Sequence, residues 1–177
     1  MRFFTRGDQP TELHQRLCGR PIGGGVDHVP YDARSPTADI LLNESHIDDP
    51  LRAGDHVVAS KALFGSCLYV VQDLLPRYGI ETTLVDGLDL DQWQRALRPN
   101  TKSFFLESPT NPTLDVLDIP AIAEIAHSGG ARLIVDNVFA TPIWQSPLSL
   151  GADVVVYSAT KHIDGQGRCL GGVILSS

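Results

Sequence analysis

Three short polar clusters follow apolar runs in this 177-residue sequence. Ser108-Pro109-Thr110-Asn111-Pro112 comes after Phe104-Phe105-Leu106-Glu107, Asp136-Asn137 after Leu133-Ile134-Val135, and Ser158-Ala159-Thr160-Lys161 after Val154-Val155-Val156-Tyr157. Lys161 sits among small hydroxyl residues where an apolar strand should end, so partial desolvation is expected. Desolvating an ammonium favours its neutral form and suits nucleophilic or Schiff-base chemistry. Most single lysines are instead solvated surface groups. Ser158 and Thr160 offer hydroxyls to a phosphate in the same loop. Asp136 places a carboxylate at the end of an otherwise apolar strand, where burial demands a cation or hydrogen-bond donors. Its plainer role is to cap a loop or to pair with a nearby arginine.

Two other motifs overlap these residues. Ser158-Ala159-Thr160-Lys161 fits the S-x-x-K of penicillin-recognising acyl hydrolases, but the sequence holds neither S-D-N nor K-T-G downstream. Tyr157 and Lys161 have the Y-x-x-x-K spacing of short-chain dehydrogenases, which requires a helix where the pattern here predicts a strand end. No G-x-G-x-x-G follows the first strand to hold a dinucleotide. The glycines of Gly165-Gln166-Gly167 and Gly171-Gly172 precede no helix start or P-loop lysine and read as a turn. His162 is expected to pack its loop.

The elements that must position these clusters are regular from residue 51 onward. Asp55 to Ser60, Ile80 to Val85, Lys102 to Ser108, Arg132 to Asn137, Asp153 to Ser158 and Gly171 to Ser177 read as strands, several of them apolar throughout as in sheets buried on both faces. Helical spacing of Leu68, Val71, Leu74 and Leu75 precedes Gly79. Asp89 with Gln92 forms a capping-box pattern for a helix through Trp93 and Leu97 that Pro99 stops. Asp118 and Pro120 start a helix with Ile119, Ile122, Ala123 and Ala126 on its apolar face, ended by Gly129-Gly130. This alternation predicts an α/β fold, a mostly parallel sheet with helices on both faces, whose reactive crevice lies outside the carboxyl ends of the strands. Residues 1–50 hold five of the twelve prolines and the run Gly23-Gly24-Gly25 without lasting periodicity. They read as an irregular N-terminal segment with at most a short element around Ala38 to Leu42.

Composition narrows the function. A formal net charge of −7 without a Lys/Arg cluster argues against nucleic acid as a partner. No apolar run approaches the roughly 20 residues of a membrane span, and the N-terminus lacks a signal-peptide pattern, so a cytoplasmic location without membrane association is expected. Cys18, Cys67 and Cys169 are widely spaced and read as structural, and the six histidines show no metal-ligand spacing.

Taken together, Glu107-Ser108-Pro109-Thr110-Asn111-Pro112, Val135-Asp136-Asn137 and the stretch from Ser158 to Arg168 resemble the pyridoxal-phosphate enzymes of the cysteine/methionine transsulfuration family. The resemblance covers residues 51–177 and implies part of the large domain of fold-type I pyridoxal-phosphate enzymes. It implies pyridoxal 5'-phosphate as cofactor, attached to Lys161. By the same resemblance Asp136 pairs with the pyridinium nitrogen, Ser158 and Thr160 hold the phosphate, Asn111 lies by the phenolic oxygen, and Phe64 takes the place of the aromatic residue that stacks on the ring. The segment Gly165-Gln166-Gly167-Arg168 looks like that of O-succinylhomoserine sulfhydrylases rather than cystathionine lyases. This implies a γ-replacement on an activated homoserine with sulfide to give homocysteine, in methionine biosynthesis, by a homo-oligomer. Family members are more than twice as long. The C-terminal substrate domain with its carboxylate-binding arginine, the Tyr-x-Arg segment and the Gly-Met helix start are not found. The expectation is therefore a truncated family member, and the competing reading is an inactive remnant or partner-binding fragment.

Overall fold

The computed structural model describes residues 2–5, 51–168 and 170–176. The segment around Ala38 to Leu42 lies outside the described residues. Seven strands form one sheet: β1 (Arg2–Thr5), β2 (His56–Ser60), β3 (Glu81–Val85), β4 (Thr101–Glu107), β5 (Arg132–Asp136), β6 (Val154–Ser158) and β7 (Gly171–Ser176), in the order β1-β7-β6-β5-β4-β2-β3. The five strands from β2 to β6 are parallel, as the apolar runs predict. Strand β7 runs antiparallel to β6 and to β1, so the sheet is mixed at one side. A crossover back to the parallel sense needs a dozen or more residues, usually helical. The twelve residues between Ser158 and Gly171 carry Gly165 and Gly167 instead of helical periodicity, and the chain returns directly. Strand β1 also corrects the reading of residues 1–50 as lacking regular structure: residues 2–5 pair with β7, Arg2 opposite Ile174.

Helices cover both faces. Helix α1 (Gly65–Tyr69) continues through a wider π turn (Val70–Leu74) into α2 (Leu75–Arg77). Val70, Val71, Leu75 and Cys67 pack on Val57, Ala59, Phe105, Ile134, Val154 and Val156. The expected face of this stretch is thereby rotated: Leu68 and Leu74 are half-buried, and Cys67 and Val70 join Val71 and Leu75 in the core. The extra residue of the π turn shifts the side chains around the axis. On the other face α3 (Leu90–Ala96) and α4 (Ile119–Ser128) cover Val58, Phe104, Leu106, Leu133, Val135 and Val155. Alternate residues of each buried strand therefore serve opposite layers, following the period of two along a strand.

The caps agree with the sequence, with one variation. Asp118 accepts the Ala121 N–H, and Asp89 Oδ1 accepts the Gln92 N–H at 3.1 Å. Gln92 does not reach back to the Asp89 N–H as in a capping box. Its Oε1 accepts the Asp86 N–H and its Nε2 donates to Asp89 Oδ2. The Trp93 indole, fully buried against Phe104, donates to the Gly87 carbonyl at 3.1 Å and fixes the β3–α3 loop from beneath. Helix α4 ends at Gly129, and Gly130 takes the left-handed conformation (φ 71°) that turns the chain into β5.

Candidate active site

The parallel strands β2 to β6 end on one side of the sheet, and the polar clusters lie there. Strand β3 lies outside β2, whereas β4, β5 and β6 follow on its other side, so the direction of progress through the sheet reverses between β2 and β4. Loops diverge at such a reversal and leave a crevice. Phe64 caps α1 just after β2, and Asn111 follows β4. Asp136 ends β5, Ser158 ends β6, and Thr160 and Lys161 lie in the turn after β6.

Asp136 is buried at 8% exposure, and its Oδ1 accepts the Val138 N–H at 3.0 Å. Burial pushes its carboxyl up to about 6, opposed only in part by that N–H. No salt bridge to Asp136 forms among the described residues. The arginine partner considered from sequence is therefore not seen there, and the carboxyl keeps an affinity for a cation. Its register partner on β4 is Glu107. Burial first, and the Asp136 charge second, raise the Glu107 carboxyl to about 7, while backbone N–H groups of Phe64 and Asn111 act in the opposite direction. The Phe64 N–H donates to Glu107 Oε2 at 2.8 Å.

Asn137, fully buried, ties the strand ends together. Its Nδ2 donates to Tyr157 Oη at 2.8 Å and to the Gln145 carbonyl at 3.0 Å, and its Oδ1 accepts Gln145 Nε2 at 2.7 Å. Gln145 Nε2 also donates to the Ser108 carbonyl at 2.8 Å. The loop after β4, the end of β5 and the body of β6 are thus joined through two amide side chains. Gln145 is positioned by α5 (Thr141–Trp144), which it caps.

The turn after β6 differs from its sequence reading in one respect. Lys161 is exposed, so the expected desolvation is not present. The chain leaves the sheet at Ser158, and Lys161 takes φ −91° and ψ −113° inside the turn Ala159–Ile163, beyond the layer that buries Tyr157. Thr160 Oγ1 accepts the Gly171 N–H at 3.1 Å and closes the loop against β7. His162 packs its ring edge against Tyr157 at 5.5 Å, the loop-packing role expected of it. Tyr157 belongs to β6 and is buried, so the Tyr157 and Lys161 spacing does not form the helical pair of a dehydrogenase.

The structure thus gathers Phe64, Asn111 and Asp136 around Glu107, and places Ser158, Thr160 and Lys161 at the next strand end. Sequence reasoning missed Glu107, Asn137 and Gln145 as organisers. For Glu107 a signal existed: it ends an apolar strand just as Asp136 does.

A family model described as Cys/Met metabolism PLP-dependent enzyme matches residues 43–177. The chain belongs to this family. It is 57% identical over 125 residues to an O-succinylhomoserine sulfhydrylase of Mycobacterium tuberculosis, covering 71% of this chain and 31% of that protein. It is 45% identical over 176 residues to an L-methionine gamma-lyase of Porphyromonas gingivalis, covering 98% of this chain and 42% of that protein. Among solved structures, cystathionine gamma-lyase from Lactobacillus plantarum complexed with L-serine superposes with a TM-score of 0.70 at 37% identity, over 72% of this chain and 33% of that one. The chain therefore spans about a third of the length of the sulfhydrylase it matches. Family membership carries a pyridoxal-phosphate-binding fold, and the mixed, mostly parallel sheet flanked by helices corresponds to part of a fold-type I large domain. Among the described residues no helix is long and apolar enough to cross a membrane.

Proposed function

We propose that these strand ends form the cofactor-binding portion of a pyridoxal-phosphate enzyme that exchanges the γ-substituent of O-succinylhomoserine for sulfide, releasing succinate and giving homocysteine. The observation that carries the cofactor reading is Asp136, a buried carboxyl without a counter-cation among the described residues. A pyridinium nitrogen fits that position because the positive charge would return the carboxyl toward its ordinary ionised state. The donor set suits the rest of the group. Ser158 and Thr160 would hold the phosphate, the Thr160 hydroxyl turning from its 3.5 Å contact with the Gly171 carbonyl. Asn111 would lie by the phenolic oxygen, and Phe64, half-exposed, offers an aromatic face to the ring.

Pyridoxal phosphate supplies, when bound, an electron sink for negative charge at the α and β carbons of an amino acid. Asp136 would keep the ring nitrogen protonated. Lys161 would attach the cofactor and, once displaced by the substrate amine, carry protons as base and then acid. Its exposure suits that second task, because the ammonium must reach more than one carbon. The choice of sulfide and a succinyl donor draws on the 57% identity to the sulfhydrylase and on the loop Gly165-Gln166-Gly167-Arg168. Homo-oligomeric assembly and a cytoplasmic setting belong to the same proposal.

The test is reductive trapping. Purified chain mixed with pyridoxal phosphate and treated with borohydride should carry one pyridoxyl group on Lys161, and Lys161→Arg should carry none there. Labelling spread over other lysines, or none at all, would favour a remnant that binds a protein partner.

A further inference from the structure

Glu107 lies where the sheet reverses direction, its side chain only 3% exposed. From the end of β4 it reaches across to β2, where Oε2 accepts the Phe64 N–H at 2.8 Å. The backbone N–H of Asn111, in its own loop, lies near enough to favour its charged form. Phe64 and Asn111 are 47 residues apart in sequence and leave different strands. Strands β2 and β4 pair only as far as Ala59 opposite Phe105, short of the point where the two loops begin. Beyond that pair, the Glu107 carboxyl ties the turn after β2 to the end of β4.

The geometry points to Glu107 as a positioning residue that ties the turn carrying Phe64 to the end of β4, whose loop carries Asn111, and so holds an aromatic face and an amide at a fixed distance across the crevice. This role rests on reading Phe64 and Asn111 as ring-side residues, and the clamp itself can be measured without any cofactor. A flat cationic ring paired with Asp136 would have Phe64 to one side only if the turn after β2 is held, and among the described residues no second side-chain bond is seen to the Phe64 N–H. Glu107 would not touch the reacting atoms. Its carboxyl also sits beside Asp136, its register partner, so above about pH 7 the same group that holds the walls adds to the negative potential of the floor.

Hydrogen exchange of the cofactor-free chain tests the clamp. In Glu107→Ala the Phe64 amide should exchange at least tenfold faster, while the amides of Leu106 and Val135, in the paired sheet, keep their wild-type rates. Glu107→Gln keeps the volume and one carbonyl acceptor but loses the charge, so the Phe64 amide should fall between wild type and Glu107→Ala. If Glu107→Ala does not fold, the intermediate rates in Glu107→Gln decide. Wild-type exchange at the Phe64 amide in either folded variant would overturn the proposal. The same variants are then loaded with pyridoxal phosphate. Glu107→Ala should still be trapped at Lys161 by borohydride, yet lose the visible circular dichroism of the bound ring and bind it about tenfold more weakly, with partial recovery in Glu107→Gln. A wild-type chain that is not trapped at Lys161 defeats the cofactor reading but leaves the exchange result standing. Trapping with an unaltered visible dichroism in Glu107→Ala removes Glu107 from positioning and spares the cofactor reading.

Discussion

Replacing Asp136 with Asn should make the cofactor-free chain more stable at pH 8 and its hold on pyridoxal phosphate weaker. Burial raises the Asp136 carboxyl from 3.8 to about 6, so the folded chain binds its proton more tightly than the unfolded chain does. Below 3.8 both states are protonated and burial costs little. As the pH climbs toward 6 the unfolded state ionises first, stability falls, and above about 6 the full penalty is present. A rise of that size corresponds to about 3 kcal/mol, an upper figure that relaxation would lower to roughly 1–3 kcal/mol. Asparagine keeps the shape, and its Oδ1 can still accept the Val138 N–H. It also removes the charge that helps raise Glu107 to about 7, which acts in the same direction. Urea unfolding of both proteins at pH 4 and pH 8 measures the effect. Asp136→Asn should gain about 1–3 kcal/mol at pH 8 and almost nothing at pH 4. Cofactor affinity should fall roughly tenfold to a hundredfold, because a charge-assisted contact in a dry site is worth about 1.5–3 kcal/mol. An Asn variant less stable than wild type at pH 8, or a gain that is the same at both pH values, would refute the claim of an uncompensated buried carboxyl.

Asn137→Ala should destabilise the chain by about 1–3 kcal/mol in urea, since the Tyr157 hydroxyl and the Gln145 amide lose partners in a buried network. A near-ultraviolet dichroism change at Tyr157 should accompany the loss. Trp93→Phe leaves the Gly87 carbonyl without its 3.1 Å donor and opens a small cavity beside Phe104, so thermal unfolding should shift down by a few degrees, for a cost of about 1–3 kcal/mol.

The sheet was legible because its strands are apolar throughout and its turns carry Gly and Pro where the helices stop. Asp118, Pro120 and Gly129 bracket α4, and these signals act within a few residues of one another. Three things were not legible. The direction of β7 depends on how the chain returns after Ser158, which no local pattern reports. The pairing of residues 2–5 joins segments about 170 residues apart, beyond the reach of periodicity. The exposure of Lys161 follows from a turn that leaves the sheet, whereas the neighbouring residues, Ser158, Ala159 and Thr160, suggested burial. At the site, residue types marked Asp136, Asn111 and Lys161, but the hydrogen bonds that join the strand ends come from Glu107, Asn137 and Gln145, whose partners lie as far as 43 residues away.

The antiparallel return of β7 makes the lysine segment a hairpin whose two feet stand on neighbouring strands, with Ser158 opposite Gly172. Lys161 lies close to one foot, which the Thr160 hydroxyl buttons to Gly171, and its own carbonyl accepts the Gly165 N–H at 2.8 Å. The stretch from Gly165 to Arg168 is exposed, and beyond that bond the Gln166 and Arg168 N–H groups donate to the Asp164 carboxylate. Lengthening an arc whose feet are fixed costs only about 0.6 kcal/mol per doubling. The architecture thus joins a reactive position anchored at the sheet to an arc that can be lengthened at little cost, and a protein engineer who keeps the Gly165 bond would alter substrate choice there first.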